Sequence, residues 1–162
     1  MSALDFLDWS NVRAHYDARV QVHKRLLHLL DGALLDQFAR LLLGIADPTG
    51  NYSAAEHGLG PKILATNGNA VNRLAALATS FRTLAKPRDV PKVIRAAGLS
   101  YLAIGVGSEA SCMVNPTTCW VANTRSIWTH LVIKHADDFA KADEELKLYR
   151  TADPSSEMDY KI

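Results

Sequence analysis

From Asn115 to Arg150 the apolar and small residues recur at Trp120, Thr124, Ile127, Trp128, Leu131, His135 and Phe139, a helical spacing that puts them on one side of a rod. No other feature restricts the fold as much, because a stripe with that period has to be covered by other helices. Asn115 stands where an N-cap belongs, and Pro116 where a first helical residue would sit. The stretch is expected to be the central helix of an all-helical domain, broken near Asp137. Trp128 is expected to anchor the core from this stripe.

The same period recurs upstream. After the apolar lead-in Leu4 to Trp9, Ser10 is placed to cap a helix from Asn11 to Leu30, with Tyr16, Val20, His23, Leu27 and Leu30 as its buried stripe. On that stripe His23 reads as a packed, hydrogen-bonded histidine. Asp31-Gly32 is too short a break for anything but a hairpin or a kink. The hairpin is favoured because Gly32 can supply a left-handed helix end. A second helix follows from Ala33 to about Ile45, and Asp47 to Asn51 stops it. Tyr52 to Asn69 reads as a long loop with one short helix at Pro61 to Ala65. A loop of that length is often functional, and Glu56 and His57 lie in it.

Asn69 to Ala85 is the next amphipathic helix, ended by Lys86-Pro87. Asp89 is placed to cap a short helix, Val90 to Ala97, with Pro91 in its first turn and Gly98 at its end. Leu99 to Val114 is ambiguous between strand and helix. A lone strand in a helical chain would leave its backbone groups unpaired, so helix, or helix plus turn, is expected. Ser108 is placed to cap a short helix through Glu109. Gly105-Val106-Gly107 lacks the third glycine and the strand–helix–strand frame of a dinucleotide fingerprint. Thr151 to Ile162 reads as a tail that wraps the domain or stays disordered.

The expected fold is thus a single all-α domain over residues 1–162, a bundle of five to seven helices. Its 162 residues suffice for one sizeable core, and 48% hydrophobic with 22% charged residues excludes a disordered chain. No apolar run approaches the roughly 18 residues of a membrane helix. The N-terminus has no basic region followed by an apolar run, so no signal peptide is read there. Cys112 and Cys119 have neither the spacing of a redox pair nor histidines at zinc spacing, so two buried, reduced thiols are expected. A cytoplasmic protein follows from these readings. No cofactor or metal motif is read, since His130 and His135 also miss the spacing that shares a metal.

The net charge is +1, yet residues 51–114 hold seven basic and three acidic side chains, a surplus of four. Arg73, Arg82, Lys86 and Arg88 are therefore candidate contacts to phosphate, against the plainer account of a solvated helix face.

The sharper chemical lead is Arg125-Ser126-Ile127-Trp128-Thr129-His130, an R-x4-H motif on an expected helix beside Asn123. It resembles the HEPN family of small helical bundles, whose members bear R-x4-6-H. The resemblance covers this motif, the fold class and the size. It implies a metal-independent ribonuclease or an RNA- or nucleotide-binding domain, often of a toxin or antiphage system, acting as a homodimer with Arg and His meeting across the interface. Arg125 and His130 would be catalytic, with Asn123 and Ser126 as supports. Ser126 stands where the family often has Asn.

The chemistry is coherent. A histidine can move a proton near neutral pH, and a guanidinium can hold charge building on phosphate oxygens. Five residues along a helix turn through about 500°, so the two side chains diverge by about 140°. A second copy would be needed to focus both on one phosphate. The competing account pairs Arg125 with a carboxylate and leaves His130 as a partly buried helix residue. The rival function is a non-catalytic helical module that binds a protein partner.

Overall fold

Asp8, rather than Ser10, starts the first helix. Its carboxylate accepts from the backbone N–H groups of Ser10 and Asn11, both at 3.1 Å, and from the Ser10 hydroxyl at 2.6 Å. The Ser10 hydroxyl first, then the Asn11 N–H, hold that carboxyl below its ordinary range. In the computed structural model, which describes residue 5 and residues 7–148, α1 runs Trp9–Asp31. Among the described residues there are eight more helices and no strand: α2 Leu35–Leu42, α3 Tyr52–Glu56, α4 Leu59–Thr66, α5 Ala70–Arg82, α6 Val90–Ala97, α7 Ile104–Val114, α8 Thr124–Lys134 and α9 Phe139–Lys147. The all-α class is as expected, and the helix count exceeds the expected five to seven.

Where a long loop with one short helix was expected, there are two helices, α3 and α4. Asn51 is fully buried, and its side chain works in two directions. Its carbonyl accepts from the Ala54 N–H at 2.9 Å, capping α3, while its amide donates to the Val106 carbonyl of α7 at 3.0 Å. A five-residue helix held through a distant backbone leaves no periodic trace in the sequence. The α1–α2 turn forms, with α2 packed on α1. The left-handed residue, however, is Ala33 (φ 54°) and not Gly32 (φ −79°).

The buried stripe of α1 is Val22, Leu26 and Leu29, one step round from the expected one, and Tyr16 is 68% exposed. His23 does pack and bond as read, with Nδ1 2.7 Å from the Met113 carbonyl oxygen. Asp89 makes no capping bond because its backbone is already helical, whereas Gly98 ends α6 in the left-handed region (φ 59°).

The central helix is α7, not the 115–150 stretch. It packs against α1, α3, α5 and α6 and buries Ile104, Val106, Gly107, Ser108, Glu109, Ala110, Ser111, Met113 and Val114. Small residues make this possible, because neighbours can approach on every side. A Cβ on Gly107 would sit 2.6 Å from Ile94 Cδ1. Ser108 is no cap. It lies inside α7, fully buried, and its hydroxyl accepts from the Ala122 N–H at 2.9 Å.

Asn115 likewise opens no helix; it is the C-cap of α7, its N–H donating to the Ser111 carbonyl at 2.8 Å. Its side-chain amide donates to the Phe81 and Leu84 carbonyls at 3.0 and 3.3 Å, closing the C-terminal end of α5. The chain then turns through residues 116–122, and α8 begins at Thr124. It breaks where expected, at Ala136 (φ 51°) and Asp137 (φ 70°), before Asp138 caps α9.

The helices α8 and α9 pack mainly on each other, around Ala122, Ile127, Leu131, Val132, Ala142 and Leu146. Trp128 is half-buried at the edge of this small cluster rather than in the main core. Its Nε1 donates to Asp143 at 2.6 Å and its ring stacks on Phe139. Glu145 ties the pair, meeting Lys134 Nζ and His135 Nε2 at 2.6 Å each. These bonds, that of Lys134 first, hold its carboxyl below the ordinary value of 4.5. A lowered folded-state pKa gives stability that is present above the unfolded value and lost as pH falls through the folded one. Protection of α8 and α9 against hydrogen exchange, taken relative to the intrinsic rate at each pH, is therefore expected to fall below about pH 4.3. Glu145→Gln should flatten that dependence, and an equal acid response in both proteins would count against the tie.

Both cysteines are free thiols. Cys119 is buried and Cys112 only partly so, and burial pushes both upward from the usual thiol range. No helix among the described residues is long and apolar enough to cross a membrane. The expected tail lies outside the described residues.

Candidate functional site

Asn123 begins the site by ending its own backbone's freedom. Its side chain accepts from the Ser126 N–H at 2.9 Å, and Ser126 Oγ accepts in return from the Asn123 N–H at 3.1 Å. This reciprocal box fixes the first turn of α8. Ser126 also donates to the Val121 carbonyl at 2.8 Å. The structure thus uses Asn123 and Ser126 to hold Arg125, one of the two residues between them, at the helix start. The Asn123 amide reaches across to Ser53 Oγ of α3 at 3.4 Å.

Arg125 points the same way and meets Glu56 Oε1 at 2.6 Å, with its own side chain 78% exposed. Between α3 and the start of α8 lies a cleft of about 170 Å³, lined by Tyr52, Ser53, Glu56, His57, Asn123, Thr124 and Arg125. Glu56 and His57, far away in sequence, therefore share a site with Arg125. His130 is exposed on α8, about 140° round from Arg125. The carboxylate pairing weighed for Arg125 is present, and His130 is not partly buried.

The cleft wall is braced from behind. Glu109, its side chain 4% exposed, accepts from Arg19 Nη1 at 2.8 Å and from the Ser53 N–H at 2.9 Å. Arg19 lies 5.7 Å from the centre of the Tyr52 ring, on which His15 stacks at 5.1 Å. Sequence reasoning missed Glu109, Asn51 and Ser53. One signal was there: a carboxylate inside the otherwise uncharged run Ile104–Val114 has to be either exposed or paired.

The basic residues of the middle third are dispersed. Arg73 donates to the Ala97 and Gly98 carbonyls at 2.7 and 3.1 Å, closing the end of α6. Arg82 pairs with Asp31 at 2.6 Å. The two lie nine residues apart on α5 and so face about 180° apart. Lys86 and Arg88 stand exposed on the connection to α6. None of the four lines the cleft that holds Arg125. No three His, Cys, Asp or Glu side chains among the described residues come together as a metal would require. No family model, no curated protein and no solved structure matches the chain.

Proposed function

We propose that this chain binds RNA at the α3–α8 cleft and cleaves it without a metal, as the HEPN-like reading of its R-x4-H motif implies. One observation carries the proposal. Arg125 stands at the mouth of a polar cleft that also holds His57, and among the described residues its side chain is restrained there by an exposed ion pair with Glu56. Such a pair contributes about 0–1 kcal/mol, so an RNA phosphate can take the place of Glu56 on the guanidinium.

In the reaction, a histidine accepts the proton of the ribose 2′-hydroxyl, whose oxygen attacks the phosphorus. A second histidine donates a proton to the departing 5′-oxygen, and Arg125 holds the charge on the non-bridging oxygens. His57 is the histidine on the cleft itself. His130, turned away on α8, serves the cleft of a second copy.

The test is cleavage of several RNAs in EDTA. Arg125→Ala is expected to lower the rate by about 10²–10³, and His130→Ala to abolish cleavage, both with an unchanged circular dichroism spectrum. Mixing the two inactive variants should restore part of the activity, since one composite site regains both groups. No cleavage by the folded wild type, or undiminished cleavage by both variants, removes the enzyme reading. The second reading, a non-catalytic helical module for a protein partner, is favoured by the apolar side chains exposed along α1.

A further inference from the structure

Every residue from 7 to 18 is exposed among the described residues, so the first turns of α1 project with most of their surface uncovered, His15 alone being stacked on Tyr52. The projection is not polar all round. Trp9, Val12 and Tyr16 are 59%, 44% and 68% exposed, and they fall within about 60° of one another on the helix surface. Beyond Tyr16 the same side of α1 opens into a largely apolar groove of about 210 Å³ against α7. Tyr16, Val20, His23, Met113 and Pro116 are in its lining, together with Arg19, whose guanidinium is turned to Glu109.

We propose that a second copy of this chain covers the stripe, with the two α1 helices antiparallel about a two-fold axis near residue 15. Charge chooses this occupant and this register. Arg13 and Asp17 lie together on one flank of the stripe, both exposed, and neither has an ion pair among the described residues. In an antiparallel helix pair like flanks face each other. A two-fold axis near residue 15 then sets Arg13 of each copy opposite Asp17 of the other, twice over.

The same register brings Trp9 of each copy level with Val20 and Gln21 of the other, at the groove. An exposed indole and an apolar groove thus stand at the two ends of one self-complementary surface. An isologous contact of this kind closes on itself and gives a dimer, not a fibre. The overlap of residues 9–21 spans about 20 Å, so the dimer should be concentration-dependent. His15, on the other flank, stacks on Tyr52 of the candidate cleft, so the two clefts would lie beside the seam. The pairing does not depend on the ribonuclease reading, and its test reads mass rather than activity.

Sedimentation equilibrium of the full chain is expected to show a monomer–dimer equilibrium. Trp9→Ala should raise the dissociation constant by about 30-fold, as loss of an aromatic anchor does. Arg13→Asp and Asp17→Arg should each weaken the dimer, and the two together should restore it. All these side chains are exposed, and circular dichroism checks that each variant is folded. A wild type that stays monomeric overturns the proposal. So does a monomer that binds anionic vesicles instead, which would give the stripe to a lipid surface. A dimer indifferent to Trp9→Ala, or a double reversal that fails to restore association, overturns it equally.

Discussion

Glu109→Ala is expected to destabilise the protein by about 3–5 kcal/mol, the cost of breaking a buried ion pair from one side. The carboxylate sits inside α7, with Arg19 at 2.8 Å and the Ser53 N–H at 2.9 Å. Removing it leaves a largely buried guanidinium with no counter-charge and an α3 backbone N–H with no acceptor. The guanidinium is already short of partners, since Arg19 Nη2 is buried without a hydrogen bond among the described residues. Glu109→Gln should cost less, because an amide oxygen can still accept from Ser53. Replacing both partners, Arg19→Met with Glu109→Leu, should recover much of the loss, because no charge then remains to be desolvated. Urea unfolding of wild type, Arg19→Met, Glu109→Leu and the double variant makes a double-mutant cycle that isolates the pair. If Glu109→Ala unfolds at the wild-type midpoint, the pair is not buried in solution, and the brace behind the cleft is absent.

Gly50→Ala should be of similar severity for a different reason. A Cβ at that position would lie 1.9 Å from the Leu41 carbonyl oxygen and 3.0 Å from its carbon. The obstacle is backbone at the end of α2, which cannot swing aside as a side-chain tip can. The turn Pro48–Gly50 would have to leave α2, and with it Asn51, which caps α3 and bonds Val106. Overpacking of a core commonly costs 1–3 kcal/mol, and a clash with main chain belongs at or above the top of that range, about 3 kcal/mol. Thermal and urea midpoints measure it. A Gly50→Ala protein as stable as wild type would mean that α2 and the turn are not in contact.

The two predictions share a lesson about what could be read in advance. Helices that carry their own buried stripe, such as α5 and α6, were visible because three- and four-residue steps of apolar residues are a local property. Their ends were less visible. Asp8 displaced Ser10 as a cap, and Asn115 closed a neighbouring helix instead of opening its own, because several polar residues near each helix end compete for the same N–H and C=O groups. Geometry alone settles that competition. Trp128 shows the same limit in packing. Its spacing marked a buried face, but among the described residues that face meets mainly α9, so the indole stays half-exposed with its N–H on Asp143.

For the candidate site, local spacing was enough to put Arg125 and His130 on one helix, because helical geometry needs nothing more; that this helix starts at Asn123 and not at Asn115 came from the fold. The sequence by itself also determined an all-helical chain. Tertiary structure alone decided that α7 is the central helix, since its small residues show their value only when neighbours press on every side. It alone carried Glu56 and His57 to Arg125, across 69 residues between Glu56 and Arg125. Such contacts leave no period in the sequence. They arise because Asn51 and Glu109 hold α3 against α7, and with it the wall of the cleft.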